Sequence, residues 1–89
     1  MAATFSLSIL TPERSQFEGA VEYVEVPGTE GYFGVLANHA SLVSALAPGS
    51  LTVRRAGGEV ERMIVSGGFF EVGRNRATVL ADSVGAASR

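Results

Sequence analysis

Leu51-Thr52-Val53-Arg54-Arg55-Ala56-Gly57-Gly58-Glu59-Val60-Glu61-Arg62-Met63-Ile64-Val65 is the stretch whose reading decides the fold class. Leu51 and Val53 alternate with Thr52 and Arg54, the period of two that a half-buried strand requires. Gly57-Gly58 supplies two residues that take positive φ without steric penalty, as a tight hairpin turn demands. Val60 to Val65 then reads as the return strand. Two strands with a hairpin between them anchor an all-β reading.

The same grammar extends in both directions. Upstream, Pro48-Gly49 is a turn signal. Downstream, Gly67-Gly68 precedes a strand at Phe69-Phe70-Glu71-Val72, Gly73-Arg74-Asn75-Arg76 makes another turn, and residues 77–80 form the last strand. At the other end, Phe5, Leu7 and Ile9 alternate with Ser6 and Ser8 until Thr11-Pro12 breaks the run. Residues 14–20 are expected to form a second strand around Phe17. A third is expected over residues 21–26, with Val21 and Tyr23 on one face and Val24 and Val26 near the other. Gly28, Gly31 and Gly34 punctuate the next seven residues and point to tight turns or close backbone approach. Residues 39–47 are ambiguous: Leu42, Val43 and Leu46 fit helical spacing, while Ala40, Leu42 and Val43 also fit a short strand. Short strands with turn signals at regular spacing predict a β-sandwich or barrel.

The chain has 89 residues, enough for one compact domain. A domain this small buries roughly 60% of the surface of its unfolded chain, so its stability margin is thin. Hydrophobic residues make up 46% and charged residues 18%, too apolar for a disordered chain. There is no cysteine, which removes disulfides, thiol chemistry and cysteine-ligated metals and favours a reducing compartment. The opening residues lack the basic and apolar runs of a signal peptide, and no stretch has the roughly 18 apolar residues needed to span a bilayer. Net charge is −2, and among the seven basic residues, all arginine, only Arg54 and Arg55 are adjacent. Nucleic-acid binding needs a clustered positive field, so that class is not expected.

Several strands do not alternate cleanly. Ile64-Val65, Phe69-Phe70 and Val79-Leu80 place large apolar groups on opposite faces. A sandwich of this size has one core. Either an outer face shows apolar area, which tends to mark a partner surface, or loops and twist cover these residues within the monomer.

Chemical motifs are sparse. The single histidine, His39, with no cysteine, falls short of the three or four ligands of a zinc site. A Ser41-His39-Asp82 set lacks a Gly-x-Ser-x-Gly elbow. The spacing of Gly28, Gly31 and Gly34 is wrong for a dinucleotide fingerprint, and without lysine there is no Walker motif. Glu13, Glu18, Glu22, Glu25 and Glu30 read as a solvated acidic face. The residues describe a non-catalytic binding module and expect neither metal nor cofactor. The competing reading is a free-standing β-sandwich that binds a small ligand or another protein.

One segment goes further. Val26-Pro27-Gly28-Thr29-Glu30-Gly31-Tyr32-Phe33-Gly34-Val35-Leu36-Ala37-Asn38-His39-Ala40 resembles the hallmark of the epsilon subunits of F-type ATP synthases, roughly Pro-Gly-x-x-Gly-x-x-Gly-(aliphatic)-Leu-x-x-His-Ala-Pro. Ala47-Pro48-Gly49-Ser50-Leu51, Ser66-Gly67-Gly68-Phe69-Phe70-Glu71-Val72 and Thr78-Val79-Leu80-Ala81-Asp82 resemble three further family segments in order and spacing. The opening Ser8-Ile9-Leu10-Thr11-Pro12-Glu13-Arg14 is also similar, so the resemblance covers positions 5 to 82. The chain departs from the pattern at Ala37-Asn38, where many members have Pro-Gly, and at Ser41, where the family has proline.

The resemblance implies a flattened sandwich of two mostly antiparallel sheets, with about eight to ten short strands over residues 1–82 and a short polar tail over 83–89. It implies a non-catalytic subunit of the central stalk that joins the gamma subunit to the membrane c-ring, so that proton-driven rotation reaches the catalytic head. It implies a peripheral location on the cytoplasmic side of a bacterial inner membrane, without insertion. Glu30, Gly31 and Tyr32 are expected on the c-ring side, and His39, Ala40, Leu42 and Val43 on the gamma side. Typical members continue into a two-helix hairpin that in some of them binds ATP. A short form without the hairpin is expected here, and no nucleotide binding.

Overall fold

The computed structural model describes residues 2–86. It contains nine strands: β1 (Phe5–Leu10), β2 (Ser15–Gly28), β3 (Gly31–Leu36), β4 (Leu42–Leu46), β5 (Gly49–Arg55), β6 (Val60–Val65), β7 (Gly68–Gly73), β8 (Arg76–Ala81) and β9 (Val84–Ala86). The strands form one hydrogen-bonded network in the order β1-β8-β7-β4-β2-β5-β6-β9, with β3 on β2 and β1 also on β2. Pairing is antiparallel throughout except between β1 and β8, which run parallel. The network folds into two layers. One holds β1, β8, β7 and β4. The other holds β3, β5, β6 and β9. Strand β2 runs through both.

The two strands expected over residues 14–26 are one strand of 14 residues, and the reason is a β-bulge. Val21 pairs with Arg55 and Tyr23 pairs with Arg54, leaving Glu22 as the extra residue. Before it, Phe17 and Val21 are buried; after it, Val24, Val26 and Gly28 are buried. A one-residue insertion flips every later side chain to the opposite face, so Val21 and Tyr23 do not share a face. The first half of β2 pairs with β1 from Leu10↔Ser15 to Phe5↔Val21, and the second half with β3 from Tyr23↔Leu36 to Gly28↔Gly31. The bulge is tied down from outside. The Glu22 carboxylate accepts the Gly57 N–H at 3.2 Å, and the Ala20 carbonyl accepts the Ala56 N–H at 3.2 Å.

Residues 39–47, undecided between helix and strand, contain strand β4, because β7 offers it a ladder from Leu42↔Val72 to Leu46↔Gly68. The domain does not stop at residue 82. Val84–Ala86 adds to β6 through Val65↔Val84, Ile64↔Gly85 and Met63↔Ala86, so the expected polar tail begins with a strand. Its last three residues lie outside the described range. The five glutamates do not make one acidic face. Glu18 faces Ser8 of β1, Glu25 faces Thr52 of β5, and Glu13 and Glu30 sit in turns.

Both layers contribute to one core. Leu7, Ile9, Val21, Phe70 and Val79 meet Val24, Val26, Val35, Leu51, Val53 and Val65, all fully buried. Phe33 of β3 and Phe70 of β7 meet edge to face across the layers, with centroids 5.9 Å apart. No polar side chain among the described residues is buried.

The glycines allow backbones to close in. Gly68, at φ 137, lies against the Leu80 carbonyl so tightly that a side chain there would clash. A methyl group on Gly49 would stand 2.6 Å from the Tyr32 hydroxyl and 2.9 Å from Pro27 Cβ. That space lets the Tyr32 hydroxyl accept the Ser50 N–H at 3.0 Å, which latches β3 to the start of β5.

Two outcomes test these constraints. Deleting Glu22 removes the bulge and turns Val24 and Val26 outward. Each loses about 1.5–3 kcal/mol of burial, in a domain whose total stability is on the order of 5–15 kcal/mol. The variant should lose the dispersed amide spectrum of the native sandwich; a native spectrum with Val24 and Val26 still protected would contradict the bulge's role. Tyr32→Phe removes only the hydroxyl and should lower stability in urea by about 0.5–1.5 kcal/mol, with faster hydrogen exchange at the Ser50 amide.

Candidate functional site

Two loops carry most of the residues singled out by the resemblance, and β3 separates them. The first is the β2–β3 hairpin turn. Gly28 pairs with Gly31, so Thr29 and Glu30 are the two turn residues. Gly31 takes φ 129, which glycine alone adopts freely. The Thr29 N–H donates to the Ala45 carbonyl at 3.1 Å and the Ala47 N–H to the Pro27 carbonyl at 2.8 Å, so the hairpin is braced against β4. Glu30 and Gly31 are exposed. Glu30 has no cationic partner, since the one ion pair among the described residues joins Arg55 and Glu61 at 2.7 Å. Tyr32 is 56% exposed with its hydroxyl engaged. Its neighbour Phe33 points inward to Phe70.

The second loop, residues 37–41, joins β3 to β4. Six residues of strand at ~3.3 Å each put it roughly 20 Å from the hairpin turn. Asn38 takes φ 64. Asparagine is among the few residues other than glycine that tolerate this region. His39 is half-buried, and its Nδ1 lies 2.7 Å from the Ala40 carbonyl. A carbonyl only accepts, so Nδ1 carries the proton and Nε2 is left for an outside partner. Ala40 is exposed. Leu42 and Val43, at the start of β4, part company: Leu42 packs against the core, whereas Val43 is 70% exposed. His39, Ala40 and Val43 thus share one end of the molecule, and Glu30, Gly31 and Tyr32 the other.

Asp82 follows β8 and donates its N–H to the Gly67 carbonyl at 3.1 Å. That is the hairpin-turn end, a strand's length from His39 and Ser41, so the three cannot act as a triad. Among the described residues no three His, Asp or Glu groups converge as a metal site would require.

The sequence signals an apolar surface but not its shape. Ile64, Phe69 and Leu80 are exposed while Val65, Phe70 and Val79 are buried. The register aligns Leu10, Leu80, Phe69 and Ala45 in one row across β1, β8, β7 and β4. Phe69 is 57% and Leu80 48% exposed. The next row, Ser8, Thr78, Glu71 and Val43, is mostly polar. Sequence reading missed Leu10 and Ala45, because only strand order sets them beside Phe69 and Leu80. The concavities around these rows are open grooves, one lined by Leu10, Pro12, Phe69 and Leu80 and another by Ser41, Val43, Arg74 and Arg76.

Comparison with known proteins agrees with this architecture. Residues 4–87 match the family model described as the ATP synthase delta/epsilon chain β-sandwich domain. The ATP synthase epsilon chain of Nitrobacter winogradskyi is 51% identical over 80 residues, covering 90% of this chain and 58% of that protein. That of Afipia carboxidovorans is 52% identical over 81 residues, covering 91% and 59%. The chain therefore spans less than two thirds of the relatives it matches. Among solved structures, a chain of the Euglena gracilis mitochondrial ATP synthase OSCP/F1/c-ring assembly superposes with a TM-score of 0.89 at 27% identity, covering 97% of this chain and 55% of that one. A chain of the Tetrahymena thermophila mitochondrial ATP synthase central stalk and c-ring has the same fold, at TM-score 0.76 and 18% identity, covering 93% and 66%. By the family match over nearly its whole length and by its fold, the chain belongs to the β-sandwich domains of ATP synthase delta/epsilon chains.

Proposed function

We propose that this chain is a non-catalytic rotor component that joins the gamma subunit of an F-type ATP synthase to its c-ring, on the cytoplasmic side of a bacterial inner membrane. The observation that carries the reading is the separation of the two loops: the Glu30 hairpin and the His39 loop lie at opposite ends of a sandwich in which hydrogen-bonded strands run from one to the other. A transmission element needs two contacts and a stiff body between them. The exposed apolar row Leu10-Leu80-Phe69-Ala45 supplies area for a broad contact. The epsilon chains of relatives at about half identity favour the same assembly.

In this reading the Glu30 hairpin faces the polar loops of the c-ring, with Gly31 and Tyr32 beside it, while His39, Ala40, Leu42 and Val43 face gamma. Leu42 acts through packing, since it is partly covered by the core. Glu30 meets a basic side chain of a c-loop. An exposed pair of this kind contributes ~0–1 kcal/mol, so it orients more than it binds. Neither nucleotide nor metal takes part, because torque transfer needs only surface and rigidity.

The deciding experiment mixes the 89-residue chain with the gamma subunit of the same source and examines the mixture by size exclusion with light scattering. A one-to-one complex is expected; a monomer running beside folded gamma would count against the assignment of the gamma side. For the other end, Glu30→Lys should weaken association with purified c-ring about two- to tenfold while the amide spectrum stays native. Unchanged c-ring affinity would remove Glu30 from that contact.

A further inference from the structure

We propose that Asn75, which lies outside both loops, is the positioning residue for the His39 loop: its side chain clasps that loop to the β7–β8 turn and to the N-terminal segment, and so presets the surface offered to gamma. The inference rests on the reading of the His39 loop as gamma-facing.

Three observations converge on it. The Asn75 Oδ1 accepts the Asn38 N–H at 2.8 Å, while its Nδ2 donates to the Thr4 carbonyl at 3.0 Å. One amide therefore bridges segments 37 and 71 residues away in sequence. The Asn75 carbonyl also accepts the Ser6 N–H at 3.2 Å, which fixes the turn to the start of β1. Next to this bridge, Gly73 gives Ser41 room: a methyl group at 73 would stand 2.9 Å from the Ser41 Oγ. The loop is thus bonded to this β-turn at Asn38 and passes close to it at Ser41.

The turn admits asparagine at this position but does not single it out over glycine. Arg74 and Asn75 both take positive φ, at 53 and 60. Such a two-residue turn favours glycine at its second position, and glycine would satisfy the backbone there with less strain. What glycine lacks is the side-chain amide. Arginine at positive φ is uncommon, and such a conformation persists where surrounding contacts over-determine it. The two side-chain bonds of Asn75 supply that restraint. Holding Asn38 in its left-handed conformation fixes the path of the next residue, His39, whose ring is already oriented by the Ala40 carbonyl. A preset loop has less conformational freedom to lose on binding.

The test compares Asn75→Gly with Asn75→Asp in the whole chain, at a temperature where both are folded. Glycine keeps the turn and removes both side-chain bonds. Aspartate keeps an acceptor for the Asn38 N–H but loses the donor to Thr4 and sets a carboxylate oxygen against the Thr4 carbonyl, so it retains one bond of the clasp and breaks the other. Asn75→Gly should exchange the Asn38 amide faster and bind gamma roughly five- to thirtyfold more weakly, and Asn75→Asp, which keeps one bond of the two, should lie between glycine and the parent in both. Equal gamma binding by the glycine variant and the parent overturns the proposal, as does an Asn38 amide that exchanges no faster in Asn75→Gly than in the parent. If the parent itself fails to bind gamma, the assignment of the gamma side falls, and exchange alone decides the clasp: an unchanged Asn38 amide in Asn75→Gly overturns it.

Discussion

The extra residue in β2 is the constraint on which the rest of the structure depends. A strand has two faces, and a straight one can serve only one core-facing side. Strand β2 must point Phe17 and Val21 into the core where it pairs with β1, and then Val24 and Val26 into it where it pairs with β3 and β5. Inserting Glu22 changes the phase between those tasks and bends the strand as it passes from one layer to the other. Remove that change of phase and the layers no longer share a strand. The sandwich would then be two ribbons, each too small to hold its own core.

That shared strand also determines where the two loops can be. Strand β3 must return along the second half of β2, so its beginning carries the Glu30 turn and its end delivers the chain to the His39 loop. Strand β4 comes back from that loop and meets β2 again at Gly28↔Leu46. The ends of the molecule are therefore joined by strands on both layers. Charge plays little part in this body: the exposed Arg55–Glu61 pair and the stacking of Arg54 and Arg55 over Tyr23 and Phe17 decorate its surface.

The strand content was legible because the chain marks its turns with glycine and alternates polarity between them. The Gly57-Gly58 hairpin and the strands around Phe70 and Val79 lie where the pattern puts them. The bulge was not legible, since an added residue looks like a break between two strands until the partner register is known. Strand β4 was hidden because five residues cannot show a period, and its conformation comes from β7 alongside it. The final strand was hidden by composition: Val84-Gly85-Ala86 has little to bury, and it is a strand because the edge of β6 is there to receive it. The Glu30 and His39 loops were singled out through the resemblance and not through chemistry, since no metal-ligating cluster lies among the described residues. Asn75 read only as a turn residue. Its second role depends on where Thr4 and Asn38 come to lie, which no local pattern records.

The parallel pairing of β1 with β8 bears on how such a chain is made. Ser6 to Leu10 find Arg76 to Leu80 only when nearly the whole polypeptide exists. During synthesis β1 leaves the ribosome early and can close its hairpin with β2, but its other edge stays open until the eighth strand arrives. Contacts of this sequence separation make folding slow, and an unpaired edge with apolar neighbours invites pairing with another nascent chain. The same strand that completes the sandwich carries Leu80, so the step that seals the edge also completes the apolar row on the outside. A chain cut short before that step would present an open edge to its neighbours and no finished surface to a partner.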